Sequence, residues 1–124
     1  MCTLTYTKLR VGISLRVQHI EQYDEYRDAL SQDWISFFNK QEILPILIPN
    51  TLENIDSFLK EMQVDVLILS GGDNIGDNPE RDMTEKILIE YSLTNNVPLL
   101  GVCRGMQAIN NFFSGIHPKT RFCF

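Results

Sequence analysis

Pro98-Leu-Leu-Gly-Val-Cys-Arg-Gly-Met-Gln107 carries a strand, a turn and the start of a helix in one short run. Leu99 to Val102 is apolar and reads as a buried strand. Two glycines then bracket a thiol, as Gly101-x-Cys103-x-Gly105. Met106, Ile109, Phe112 and Phe113 follow at helical spacing. Strand, tight turn bearing a nucleophile, helix: this is the cysteine form of the nucleophile elbow. Glycine on either side lets the chain turn sharply and lets a substrate approach the backbone. The thiol then sits in the first turn of a helix, where the dipole and free N–H groups favour an anionic, reactive sulfur. A lone cysteine is usually a small buried core residue. A core strand has no need of two glycines around one thiol, nor of the polar Arg104 and Gln107 beside it, so the elbow is the better reading.

Upstream, strand and helix patterns alternate. Residues 1–9 read as a flexible leader, and Val11-Gly-Ile-Ser-Leu15 as the first strand. A loop is expected through Gln18-His-Ile-Glu-Gln22. Tyr26, Leu30, Trp34, Phe37 and Phe38 recur at helical spacing, which predicts an amphipathic helix over about 24–40 with its aromatics in the core. Ile43-Leu-Pro-Ile-Leu-Ile-Pro49 is a second strand, and Pro45, lacking an N–H, puts it at a sheet edge. Thr51 is placed to cap a helix whose face is Leu52, Ile55, Phe58, Leu59 and Met62. Val64-Asp-Val-Leu-Ile-Leu69 is nearly all apolar, as expected of a strand covered on both faces.

Ser70-Gly-Gly-Asp73 ends that strand, and Asn74 to Arg81 is a polar loop. Asp82-Met-Thr-Glu85 fits a capping box, with Asp82 at the cap and Glu85 its partner. The helix then runs to about Thr94, with Ile87, Leu88 and Tyr91 inward, and Asn95-Asn96 ends it. The result is an α/β chain, a flavodoxin-like doubly wound fold with a mainly parallel sheet. In a flavodoxin-like order (2-1-3-4) the elbow strand lies at the sheet edge, where an exposed apolar strand invites pairing with another chain. A homo-oligomer, or a complementary segment to cover that edge, is expected.

Composition bounds the function. The 124 residues make one domain with an ordinary share of apolar and charged residues. No apolar run approaches a membrane span, and the N-terminus has no signal-peptide pattern. A net charge of -5 without a basic stripe argues against nucleic acid and against an anionic membrane as partners. Cys2, Cys103 and Cys123 form no disulfide framework, which fits a reducing, cytoplasmic setting. No metal-ligand spacing and no Gly-x-Gly-x-x-Gly loop is present, so no metal or organic cofactor is implied.

Gly101-Val-Cys-Arg-Gly-Met-Gln107 resembles the nucleophile motif of class I glutamine amidotransferases, in particular the branch that includes gamma-glutamyl-gamma-aminobutyrate hydrolase. That branch also carries an R-D-x-x-E segment, here Arg81-Asp-Met-Thr-Glu85, and a Gly-Gly turn after a strand, here Leu69-Ser-Gly-Gly-Asp73. Val11-Gly-Ile-Ser-Leu-Arg16 and Asp28-Ala-Leu-Ser-Gln-Asp-Trp34 are similar to bacterial gamma-glutamyl-CDP-amidate hydrolases. The resemblance covers about residues 10–115 and implies the N-terminal portion of the family domain, with an irregular tail at 116–124. It implies a cysteine hydrolase that cleaves a small-molecule gamma-glutamyl amide through a glutamyl-thioester on Cys103. It also implies an oxyanion held by the backbone N–H of Arg104 and by that of Gly71 or Gly72. Glycine suits this role, because it lets a peptide N–H face a site without obstruction.

Arg81 is open to two readings, a solvated loop charge or a group that orients a substrate carboxylate. The family completes its triad with a late His-x-Glu pair, and no such pair occurs here. His117 lies fourteen positions after Cys103 and is followed two residues on by Lys119, which makes it a poor candidate base. The competing function is therefore a catalytically inactive remnant or a binding module that keeps the half-fold. A receiver or flavin-binding domain fits less well, since the first strand ends in Ser14-Leu15-Arg16 rather than in an acidic cluster or phosphate loop.

Overall fold

The computed structural model describes residues 8–114. Four parallel strands form its sheet: β1 (Leu9–Ser14), β4 (Ile43–Ile48), β5 (Val66–Leu69) and β6 (Leu99–Gly101), in the order β4-β1-β5-β6. This is the 2-1-3-4 order expected of a doubly wound α/β fold. β4 is an edge strand, so the N–H that Pro45 lacks breaks no central ladder. Among the described residues β6 pairs with β5 alone.

Alternation along the strands divides the core. Leu67 and Leu69 of β5 join Ile46, Ile48, Leu59, Leu88 and Ile109 on one face. That face is covered by α2 (Ile55–Glu61), α3 (Pro79–Asn95) and α4 (Arg104–Ser114). Ile68 turns the other way and joins Val11, Ile13 and Phe38, under α1 (Gln32–Lys40). Phe38 is fully buried, which is worth about 1.5–3 kcal/mol relative to exposure.

The region before α1 departs from the sequence reading. No helix begins at residue 24, and 18–22 is not simply a loop. β2 (Arg16–Ile20) and β3 (Glu25–Ala29) form an antiparallel hairpin in a separate two-stranded sheet, joined by a short 3-10 turn. Tyr26 is therefore not in the core. It is 68% exposed and stacks on His19 across the hairpin. Ser31 caps α1 by accepting from the Asp33 N–H, so the helix starts there and carries only Trp34, Phe37 and Phe38 of the expected stripe. Phe37 is exposed as well. Asp28 accepts from the Asn50 backbone N–H and side chain, both at 2.9 Å, and ties the hairpin to the sheet.

Smaller corrections concern caps. Asn54, not Thr51, caps α2, with its side-chain oxygen accepting from Ser57 N–H at 3.0 Å. β5 begins at Val66 rather than Val64. α3 starts four residues earlier than a cap at Asp82 allows: Asn78 is the cap and Pro79 takes the first turn, where its missing N–H costs nothing. Met106, expected on the apolar stripe of α4, is exposed. Leu9 belongs to β1 rather than to a leader. Residues 1–7 of the expected leader, the tail at 116–124 and His117 lie outside the described residues.

At the β6 edge, Leu100 is 43% exposed and lines an apolar cleft with Trp34, Phe37 and Ile68. An edge strand beside an uncovered apolar face is a pairing template. The chain at micromolar concentration is expected to self-associate, and Leu100→Lys to shift it toward monomer. Size-exclusion chromatography with light scattering checks this. A wild-type chain that stays monomeric contradicts it.

Candidate functional site at the carboxyl ends of the strands

Register brings the site together. β1 and β5 align Ile13 with Ile68, and β5 and β6 align Leu69 with Gly101. The segments that leave these strands, at Leu15-Arg16, Ser70-Gly71-Gly72 and Val102-Cys103, therefore emerge side by side at the carboxyl edge. Ligands of open α/β sheets bind at this edge. The Val102 N–H donates to Leu69 O at 3.0 Å and carries the pairing up to the thiol.

Cys103 is exposed and has φ +54°, in the left-handed region. Three other non-glycine residues with positive φ, Glu42, Gln63 and Asn96, follow helices, a common place for a left-handed cap. Cys103 instead precedes one. The sharp turn is thus made by the cysteine itself, and the flanking glycines serve a purpose other than the one expected. A Cβ on Gly105 would lie 2.0 Å from Leu69 O, and one on Gly101 2.7 Å from the Gly105 carbonyl. They let α4 press its first turn against β5 and β6. Arg104 is the first residue of α4, so its N–H lies where a helix has no acceptor of its own. Gly71 is the neighbour across the turn: a Cβ there would sit 3.5 Å from Cys103 Cβ. Gly72 has φ +127°, and a Cβ on it would meet Arg81 Nη1 at 2.8 Å and Arg16 Cβ at 3.0 Å.

Beneath the turn lies a buried polar network. Arg81 is fully buried. It donates to Ser70 O at 2.9 Å, Gly71 O at 3.0 Å, Asp73 at 2.8 Å and Glu85 at 3.3 Å. It is neither a solvated loop charge nor a free hand for substrate; it holds the Gly-Gly turn in place. The Arg104 side chain is also buried and points inward, bonded to Glu85 and Asp82. Only its backbone stands at the thiol. Asp82 and Glu85 are thus partners of Arg104, and not a capping box. Glu85 also accepts from Ser14 Oγ at 2.7 Å, and Ser14 Oγ accepts from Ser70 N–H at 3.0 Å. One signal for this network was in the sequence: Arg81 and Glu85 are four apart on one helix, the spacing of an ion pair. Ser14 and Arg104 lie far from them along the chain.

Burial works against ionisation of Asp73 and is the strongest single influence on it. A backbone N–H, the Arg81 guanidinium and the Asn78 amide together outweigh burial and hold the carboxyl below its ordinary 3.8. His19, the histidine of the described region, donates from Nε2 to Asp24 Oδ1 at 2.9 Å in the hairpin. Among the described residues no trio of His, Cys, Asp or Glu is arranged to hold a metal, and no helix is long and apolar enough to cross a membrane.

A parallel α/β sheet with a cysteine on the turn after its fourth strand defines the class, and the relatives narrow it. The Peptidase C26 profile matches residues 11–117, and the chain belongs to that family, within the class I glutamine amidotransferase-like proteins. It is 34% identical over 113 residues to a gamma-glutamyl-CDP-amidate hydrolase of Campylobacter jejuni, covering 84% of this chain and 55% of that one. It is 33% identical over 99 residues to a putative glutamine amidotransferase-like protein of Lactococcus lactis subsp. cremoris, covering 68% and 52%. It is 32% identical over 104 residues to a CTP synthase of Rickettsia peacockii, covering 82% and 18%. The chain spans about half the length of the first and second of these.

Two outcomes are expected. Helix propensity alone favours alanine over glycine by about 1 kcal/mol. Gly105→Ala is nevertheless expected to destabilise the fold by at least about 2–3 kcal/mol, because the added carbon has only backbone to displace. Urea denaturation checks this, and a stabilised variant contradicts it. For Asp73 the lowered value means stability that is present above pH 3.8 and lost as the pH falls through the folded value. Asp73→Asn is expected to flatten the loss of stability below about pH 4, as measured by urea melts at stepped pH. An unchanged slope contradicts it.

Proposed function

We propose that this chain carries the nucleophile of a cysteine-dependent hydrolase of small-molecule gamma-glutamyl amides. The exposed Cys103 on a left-handed turn, against Gly71 and at the head of α4, is the observation that supports it most. The sulfur attacks the gamma-carbonyl, a C–S bond forms, and the C–N bond breaks as the thiol proton passes to the departing amine. Water then cleaves the thioester, releasing glutamate and restoring the thiol. The Arg104 N–H and that of Gly71 or Gly72 hold the oxyanion in both steps. The gamma-glutamyl substrate is drawn from the name of the Campylobacter relative and from the family.

A second reading is a catalytically inert form that keeps the pocket. The position of His19, which is stacked on Tyr26 in the hairpin, favours it. A chloroketone analogue of glutamine decides whether the site takes a gamma-glutamyl group. Peptide mass spectrometry is expected to show Cys103 modified well ahead of Cys2 and Cys123, with L-glutamine slowing it. Equal modification of the three thiols contradicts the proposal. Selective modification without release of glutamate from gamma-glutamyl amides identifies the inert form.

A further inference from the structure

Arg16 was not singled out by its place in the sequence, yet it stands on the site. It opens β2 two residues after the end of β1, at the carboxyl edge, and is exposed. Its Cβ and Nε lie 3.0 and 3.2 Å from where a Cβ on Gly72 would be, so its stem runs along the Gly-Gly turn. Cys103 lies against Gly71, the next residue. Thiol and arginine thus flank one dipeptide, with Cβ atoms no more than roughly 12 Å apart given standard backbone spacing. The other two arginines of the cluster are spent: Arg81 on Asp73 and Glu85, Arg104 on Asp82 and Glu85. Among the described residues Arg16 has no ion-pair partner. An unpaired guanidinium beside a nucleophile is a ready anion receptor, with a fork that matches a carboxylate.

We infer that Arg16 binds the alpha-carboxylate of the gamma-glutamyl group, an inference that rests on the proposed function. This is the task that the sequence reading left open for Arg81, whose donors are instead consumed by the turn. A glutamyl group has a short aliphatic span between its gamma-carbonyl and its alpha-carboxylate. With the carbonyl at Cys103, that span and the length of an arginine side chain bridge the gap. A phosphate on the departing amine is the other anion that such a receptor suits.

The test compares alkylation of Cys103 by iodoacetate and by iodoacetamide in the full chain, resolved by peptide mass spectrometry. The ratio of the two rates cancels any change in thiol reactivity and reads the local field. Arg16→Gln is expected to lower the ratio roughly two- to fivefold, the size of one exposed unit charge at this range. Arg16→Lys is expected to retain part of it, and added salt to shrink it. L-glutamine is expected to slow iodoacetate in the wild type and not in Arg16→Gln. A ratio unchanged by Arg16→Gln overturns the inference. Protection by inorganic phosphate but not by L-glutamine overturns the assignment to the alpha-carboxylate. Failure of the hydrolase reading shows itself separately, as loss of chloroketone selectivity while the ratio still depends on Arg16.

Discussion

One buried carboxylate holds the functional edge of this molecule together. Glu85 is 1% exposed and is shared by Ser14, Arg81 and Arg104. Taking such charges out of water costs several kcal/mol per ion, so the cluster is no simple source of stability. What it supplies is position. Ser14 ends β1, Arg81 grips the Gly-Gly turn, and Arg104 opens α4 beside the thiol. β1, the Gly-Gly turn that Arg81 grips, and α4 thus meet at one side chain of α3. Breaking such a group costs about 3–5 kcal/mol, far more than an exposed pair would.

The sheet and the elbow were legible because their signals are local. Continuous apolar runs marked β4, β5 and β6, Pro45 marked an edge, and the Gly-x-Cys-x-Gly pattern marked the turn. The hairpin was not legible. Tyr26 happens to fall at helical spacing from Leu30 and Trp34, and that spacing hides a cross-strand partner, His19, seven residues back. The polar network was misread for a related reason. Asp82 and Glu85 have the spacing of a capping box, but Asn78 and Pro79 had already started the helix. What those carboxylates meet is Arg104, and no local pattern announces a partner so far along the chain.

The glycines give the same lesson. A pair around a cysteine suggested flexibility for the turn. The strained position belongs to Cys103, and the glycines permit backbone contact between α4 and the strands. A cysteine in a left-handed turn, with its own side chain exposed and its neighbour's side chain buried, is conformationally determined by what lies beneath it. That couples the exposed thiol at the surface to the ion cluster in the core.

The most direct test of that coupling is a double-mutant cycle between Arg81→Met and Arg104→Met, read by urea denaturation of the folded chain. The two residues do not bond each other; they meet only through Glu85. If Glu85 ties the turn to the elbow, the two losses are non-additive by at least about 1 kcal/mol. Additive losses, within about 0.3–0.5 kcal/mol, would contradict a shared network and leave the two arginines as independent props.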